Sequence, residues 1–266
     1  MSDFNPADPA FWDKSAETYA AMAEPFTGLF AADALALAEI RPGTRLLDVA
    51  TGTGAAAALA SAKGAEVTAI DFSPGMIARV SAQNLARVSA HVMDGQALDL
   101  PDGSFDVSVS VFGVVLFPDW RRGLREMARV TRSGGTGIIA TWQSPFGAGA
   151  YKLISELSAE LFPETPLPSP FDGLRTLQSP ERSAAELETA GFADVEVKDV
   201  THDFCVNVAD PAQIETLFQF TPTWGLLSDP QRVAVMAALE ARIARDRRGD
   251  ILPIPSTALI ACGIRR

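Results

Sequence analysis

The sequence has few of the residues that characterise disulfide-rich, nucleic-acid-binding or membrane-spanning proteins. Only two of its 266 residues are cysteines, Cys205 and Cys262, too few for a disulfide framework. Lysine and arginine number 22 against 33 aspartates and glutamates, and the net charge of −11 argues against a phosphate-backbone partner. The longest apolar run, near residues 107–117, is interrupted by serines and is too short to span a bilayer. We therefore expect a cytoplasmic protein with no nucleic-acid partner and no membrane insertion.

The rest of the composition is that of an ordinary globular protein. Hydrophobic residues make up 47% of the chain and charged residues 21%, and this length is enough to bury a full core. No stretch is poor enough in apolar residues to read as a linker between domains. We therefore expect one domain over residues 1–266, present as a monomer or a homodimer.

Short apolar segments alternate with helical segments from residue 45 onward. Two helices precede them, one capped by Asp8 and one over about Thr27–Ile40. This order predicts an α/β fold, a Rossmann-like doubly wound sheet whose ligand lies beyond the carboxyl ends of the strands. The seven strands are expected at Arg45–Ala50, Glu66–Ile70, Ala90–Met93, Phe105–Phe112, Thr136–Trp142, Phe192–Val200 and Thr257–Ile264.

A glycine turn follows the first strand directly. In the segment LLDVATGTG, Leu46–Gly54, neither Gly52 nor Gly54 has a side chain, so the backbone can bend sharply and approach a ligand. Free N–H groups at the start of the next helix add a polar lining. With Ala57 the stretch also satisfies the Gly-x-Gly-x-x-Ala pattern of dinucleotide sites. A glycine turn that binds no ligand is the structural alternative for this motif alone.

Carboxylates stand at the ends of the next two strands. Asp71 follows the second strand, where its oxygens can accept hydrogen bonds from both hydroxyls of a ribose. Asp94 follows the third strand and can accept from an exocyclic amine, while the N–H of Gly95 donates to a ring nitrogen. Together these two residues would recognise the edge of an adenine. Three consecutive strand ends therefore predict a site for an adenosyl nucleoside.

These segments resemble the class I S-adenosylmethionine (SAM)-dependent methyltransferases, in the branch of ubiquinone- and menaquinone-type and natural-product enzymes. The resemblance covers about Phe11–Trp142 and returns at Leu252–Ile264, which is similar to the family's last, antiparallel strand. The segments that carry it are LLDVATGTG, VTAIDFSPGMI, MDGQALDLPDGSFD and FGVVLFPD. The resemblance implies SAM as cofactor and a small molecule as methyl acceptor.

The resemblance also implies a role for each site residue. A second interpretation of Tyr19 is a helix residue whose hydroxyl faces water. In the order of the cofactor's parts, the implied residues are Tyr19 and Asp48 towards the methionine end, Ala50, Gly52 and Gly54 beside the cofactor, Val111 beneath the sulfonium, Asp71 on the ribose, Phe72 and Met76 on the adenine ring, and Asp94, Gly95 and Gln96 at the adenine edge.

The second half of the chain departs from the regular alternation. A proline- and glycine-rich stretch surrounds a helix at Tyr151–Leu161, and two later helices are expected after the caps Asp210 and Asp229. The expected divisions are cover helices at 1–41, a cofactor-binding core at 42–142, and lid or substrate insertions at 143–178 and 210–250.

The residues after the fourth strand predict a metal-independent reaction. Val111, Phe112 and Gly113 offer no metal ligand there. Transfer from a sulfonium is an in-line displacement, and orienting the acceptor can be worth about 7–11 kcal/mol.

Neither His91, expected at the start of the third strand, nor His202 is assigned as a base, and oxygen, nitrogen and carbon acceptors all remain compatible. An apolar or aromatic acceptor is indicated by the set Phe112, Phe117, Trp142, Phe146, Tyr151, Phe218, Phe220 and Trp224.

Two other functions fit parts of the sequence. An NAD(P)-dependent oxidoreductase would explain the Gly-x-Gly-x-x-Ala pattern, but not Asp48 within the strand or the adenine-edge pair. A SAM-binding protein that does not methylate, such as a regulator or a cyclase on the same scaffold, would keep the whole nucleoside site.

Replacing Asp71 by alanine should weaken SAM binding more than any surface substitution, because two hydrogen bonds to a charged group are lost. Isothermal titration calorimetry with SAM measures the effect. An unchanged dissociation constant would remove Asp71 from the ribose site.

Overall fold

The sheet of the computed structural model has seven strands, and residues 7–167, 171–209, 214, 218 and 221–266 are described. The strands, in chain order, are β1 Arg45–Val49, β2 Glu66–Asp71, β3 Val88–Val92, β4 Phe105–Val111, β5 Thr131–Trp142, β6 Phe192–Asn207 and β7 Ile251–Arg265. Their spatial order is β3-β2-β1-β4-β5-β7-β6. Strands β1 to β5 pair in parallel, and β7 runs antiparallel to β5. The predicted doubly wound sheet with an antiparallel last strand is confirmed.

The order of the strands reverses between β1 and β4, which are neighbours in space although two strands separate them along the chain. In open α/β sheets this is the place where loops leave the sheet in opposite directions and open a crevice. The ends of β1 and β4 therefore define the edge of the sheet at which a ligand site is expected.

Helices precede, separate and follow these strands along the chain. They are α1 Pro9–Met22, α2 Glu24–Leu35, α3 Ala55–Ala62, α4 Pro74–Ala82, α5 Trp120–Val130, α6 Gly149–Leu161, α7 Asp172–Thr176 and α8 Pro180–Ala190. A 3-10 turn spans Val114–Leu116, and further helices span Pro222–Leu226 and Asp229–Asp246.

Side-chain caps fix the start of several helices at the expected residues. Asp8, Ser73, Asp119 and Ser179 each accept a hydrogen bond from a backbone N–H in the first turn of α1, α4, α5 and α8. The predicted cap Asp229 is wrong, because Ser228 caps that helix in a reciprocal pair with Gln231. The cap predicted at Asp210 lies outside the described residues.

Glycine and proline led to three wrong boundaries. The pair Gly134 and Gly135 predicts the end of the helix that follows Asp119, but α5 ends at Val130 and β5 begins at Thr131. The pairing of β4 with β5 shifts register just there, so the glycines mark an irregularity inside the strand. Strand β7 begins at Ile251 and continues through two prolines, and α2 begins at Glu24 with Pro25 in its first turn.

The chain divides into two compact units. The core unit comprises Asn5–Gln143, Phe171–Val200 and Ala258–Arg266, and the second unit includes Ser144–Pro170 and Thr201–Thr257. The division of the chain into a core with lid insertions stays a prediction. Within the described part of the chain, no helix has both the length and the apolar character needed to cross a bilayer.

The core unit is held together by an apolar layer between the sheet and α5. Trp120, Leu124, Met127 and Ala128 form the predicted buried face of this helix, each 2% exposed or less. The indole N–H of Trp120 donates to Asp172 at 3.0 Å, so the one polar atom of that side chain is satisfied. Burial of this face fixes α5, and with it the turn that leads from β4.

A buried serine joins the two strands at the reversal point. Ser110, on β4, donates from its Oγ to the carbonyl oxygen of Val49 at 2.9 Å. The same Oγ accepts from the backbone N–H of Val114 at 3.0 Å. Since all three residues are fully buried, water cannot replace either bond.

Replacing Ser110 by alanine should lower the free energy of unfolding by about 2–4 kcal/mol, because a carbonyl and an N–H are left buried without partners. Urea unfolding measures the change. Ser81→Ala, on the exposed side of α4, is the matched control and should change stability by less than about 0.5 kcal/mol. Equal stability of the two variants would contradict the role of Ser110.

Candidate functional site

A cavity of about 410 Å³ lies in the core unit at the carboxyl ends of β1, β2 and β4. All but two of the residues selected from the sequence line it: Tyr19, Ala50, Gly52, Asp71, Phe72, Met76, Asp94, Gly95, Gln96 and Val111. Asp48 instead lines an adjoining cavity of about 40 Å³. Gly54 lines neither of them, and a Cβ atom at Gly54 would lie 3.1 Å from the side chain of Val80 on α4.

The loops after β1 and β4 meet in a strained arrangement. Ala50 and Phe112 both have positive φ angles, 56° and 62°, a conformation that side chains other than glycine rarely adopt. A Cβ atom at Gly113 would overlap the Cβ of Ala50, so only glycine fits at that position. Strain of this kind is concentrated at ligand and catalytic sites, where the surrounding structure maintains it.

Asp71 joins the glycine loop to the end of β2. Its Oδ2 accepts from the N–H of Gly52 and its Oδ1 from the N–H of Ser73, both at 3.0 Å. Burial raises the pKa of Asp71 above its usual range, although the hydrogen bonds to its carboxylate act to lower the pKa. The backbone of Phe72 adds a third hydrogen bond, and since the two carboxylate oxygens have about four acceptor positions, one position remains for a ligand hydroxyl group.

Asp48 is buried beneath the same loop. The hydroxyl of Thr51 donates to its Oδ2 at 2.6 Å, and the backbone of Ala57 adds a further hydrogen bond. Burial nevertheless raises the pKa of Asp48 to about 6, and the negative charge of Asp71 contributes to the shift. Asp48 is therefore bonded to the loop itself. Its role towards the methionine end of the cofactor stays a prediction.

The loop after β3 forms the opposite wall of the cavity. Asp94 Oδ1 accepts from both the backbone N–H and the side-chain amide of Gln96, at 2.8 and 3.0 Å. The amide oxygen of Gln96 in turn accepts from the N–H of Asp119 at the start of α5. This leaves Asp94 Oδ2 to accept from a ligand. A Cβ atom at Gly95 would lie 2.6 Å from the ring of Phe117, so only glycine fits against that ring.

Helix α1 forms part of the cavity wall, and an acidic residue that the sequence analysis did not select holds this helix in place. Asp13 Oδ1 accepts from the hydroxyl of Ser73 at 2.6 Å and from the N–H of Gly75 at 2.7 Å. These bonds hold α1 against the first turn of α4, and Trp12 and Tyr19 of α1 line the cavity. The only hint in the sequence was the position of Asp13 within the cover segment.

Tyr19 is half-buried beside the glycine loop. Its hydroxyl lies 3.4 Å from the Oγ1 of Thr27 on α2. Burial raises the pKa of Tyr19, and the nearby carboxylates of Glu24 and Asp71 raise it further. Tyr19 therefore remains a neutral hydroxyl that can donate or accept a hydrogen bond.

Aromatic rings form the apolar part of the cavity wall. The rings of Phe112 and Trp142 stack with their centroids 3.7 Å apart and an interplanar angle of 6°. Phe30 packs edge-to-face on both, and Phe26 lies parallel to Trp142 at 6.0 Å. Of these four rings, only Phe112 and Trp142 line the cavity.

Phe117 also lines the cavity. The other described aromatic candidates belong to the second unit. Phe218 and Trp224 are buried in its apolar cluster, and Phe146 packs edge-to-face on Tyr151. Phe220 lies outside the described residues.

The histidine expected at the start of the third strand is placed elsewhere. His91 is the penultimate residue of β3, is exposed, and does not line the cavity. Among the described residues, no three His, Cys, Asp or Glu side chains form a group that could hold a metal ion.

The difference in unfolding free energy between the native chain and Asp48→Asn should change with pH. Because burial raises the pKa of Asp48 from 3.8 to about 6, the stability of its protonated form is present below the lower value and lost as the pH rises through the higher one. Relative to the variant, the native chain should lose about 2–3 kcal/mol between about pH 4 and about pH 7. Urea unfolding at constant ionic strength measures this. A difference that does not change with pH would contradict the burial of an ionisable Asp48.

Comparison with known proteins gives a consistent result. Residues 47–139 match the family model described as a methyltransferase domain. A demethylmenaquinone methyltransferase of Mycolicibacterium vanbaalenii is 32% identical over 172 residues, which are 61% of this chain and 74% of that protein.

Two solved structures share the fold. The YcgJ protein of Bacillus subtilis is 18% identical with a TM-score of 0.55, and the match covers 90% of this chain and 97% of that chain. A phosphoethanolamine N-methyltransferase of Haemonchus contortus in complex with SAM is 19% identical with a TM-score of 0.51, and the match covers 90% of this chain and 52% of that chain. At these identities the likeness is one of fold alone.

Proposed function

This chain belongs to the class I SAM-dependent methyltransferases, and we propose that within this family it methylates a small apolar or aromatic acceptor without a metal ion. The observation that carries the proposal is the stacked pair Phe112 and Trp142, which gives the cavity a flat apolar surface. Trp12, Leu116 and Phe117 extend the apolar wall. The relative of M. vanbaalenii, which is named for demethylmenaquinone, supports an acceptor of this kind.

The polar wall of the cavity fits the adenosyl part of SAM. Asp71 would accept a ribose hydroxyl through the acceptor position that the N–H groups of Gly52, Phe72 and Ser73 leave free. Asp94 Oδ2 would accept from the adenine amine and the Gly95 N–H would donate to a ring nitrogen. Phe72 and Met76 line the same region and would pack on the adenine ring.

The part of this chain in the reaction is to orient the acceptor and to exclude water. SAM supplies an activated methyl group when bound, so the transfer requires an acceptor atom in line with that group. Val111, at the end of β4, and the stacked rings lie where the two ligands would meet. The largest contribution of the protein would be positional.

A panel of acceptors tests the proposal. Naphthoquinols and simple phenols represent flat acceptors, phosphoethanolamine represents a charged amine, and release of S-adenosylhomocysteine measures turnover. We expect turnover with members of the first group. Turnover with the charged amine alone would overturn the apolar acceptor while leaving the family assignment in place.

Trp142→Leu should raise the KM for a flat acceptor by about tenfold, because a stacked aromatic contact is worth about 1 kcal/mol or more. The dissociation constant for SAM should change little. Phe26→Leu is the matched control, since Phe26 stacks on Trp142 but does not line the cavity. An equal rise in KM for both variants would assign the effect to general loosening of the aromatic cluster.

A further inference from the structure

The small cavity next to the main site contains a carboxylate to which no role has been given. Glu24, the first residue of α2, lines this cavity together with Asp48. Tyr19, Thr27, Ala50, Gly52 and Val111 line both cavities, so the small cavity opens from the main site at the ends of β1 and β4. Its volume of about 40 Å³ is enough for a small polar group and too small for a ring.

The lining of the small cavity favours a cationic occupant. The small cavity presents the carboxylates of Glu24 and Asp48 and the hydroxyls of tyrosine and threonine. Neither lining includes a lysine, an arginine or a histidine. A group that enters must therefore donate hydrogen bonds and benefits from a positive charge.

The two carboxylates are not equivalent in the hydrogen bonds they can still accept. Asp48 is buried and bonded to Thr51 and to the backbone of the loop. Glu24 is half-buried, and its Oε2 accepts from the hydroxyl of Thr53 at 2.7 Å. That bond fixes the direction of the Glu24 side chain and leaves Oε1 to accept from a ligand.

We propose that Glu24 binds the α-ammonium group at the methionine end of SAM in this small cavity, and so selects ligands that carry an amino-acid end. The inference rests on the proposed function, because it presupposes that the adenosyl part occupies the main cavity. Glu24 of α2 would thus be a charged partner of the cofactor, beside the residues of the glycine loop and the strand ends. Glu24 would act by direct contact with the cofactor.

Glu24→Gln separates the charge of this residue from its structural bond. The amide oxygen of glutamine can still accept from Thr53, while the negative charge is lost. The probes are S-adenosylhomocysteine, which has the amino-acid end, and 5′-methylthioadenosine, which lacks it. Calorimetry should show a loss of about 10- to 100-fold in affinity for the first ligand and no change for the second.

Three further variants make the result specific. Glu24→Asp keeps the charge and should recover part of the affinity for S-adenosylhomocysteine. Glu17→Gln removes a charge from the exposed surface of α1 and should affect neither ligand. Asp94→Asn should weaken both ligands, because both contain adenine. Thermal unfolding without ligand shows whether each variant is folded.

The outcomes distinguish the inference from the proposal beneath it. If the native chain binds both ligands and Glu24→Gln weakens them equally, or weakens neither, the role of Glu24 is wrong and the methyltransferase site stands. If the native chain binds neither ligand, the proposed site itself is overturned, and the inference with it.

Discussion

The carboxylate of Asp71 holds the ends of the first two strands in one fixed arrangement. It accepts one N–H from the glycine loop and one from the turn before α4, so a single side chain sets the distance between these segments. The turn before α4 is also where Asp13 holds the cover helix. The glycine loop, the turn before α4 and helix α1 therefore share one hydrogen-bonded network, and the shape of the cavity depends on that network.

The features that could be predicted from the sequence are those determined by neighbouring residues. The carboxyl ends of β1, β2 and β3 lie within one residue of the predicted ends, because a turn or a helix cap follows each strand in the sequence. The antiparallel β7 and the doubly wound order follow from alternation and resemblance, and the structure confirms both. The individual site roles remain predictions, although most of the residues concerned line one cavity.

What could not be predicted depends on contacts between distant parts of the chain. Ser110 bonds to a carbonyl 61 residues away and Asp13 to a hydroxyl 60 residues away, and no local pattern marks either residue. Strand β7 begins at Ile251 and passes through Pro253 and Pro255, ahead of the segment Ala258–Ile264 that pairs with β5, and the local sequence signal there is against a strand. In the sequence, Glu24 is an ordinary acidic residue in the first turn of a helix, and only the folded chain brings it to the small cavity.

The left-handed backbone at Phe112 links acceptor recognition to conformational cost. A phenylalanine in this conformation is held there by its stack on Trp142 and by the surrounding loop. Asparagine or glycine would adopt the same backbone with less strain but would remove the ring. The strain at this position is therefore offset by burial of the ring against Phe30 and Trp142, and a residue that relaxes the backbone would lose that packing.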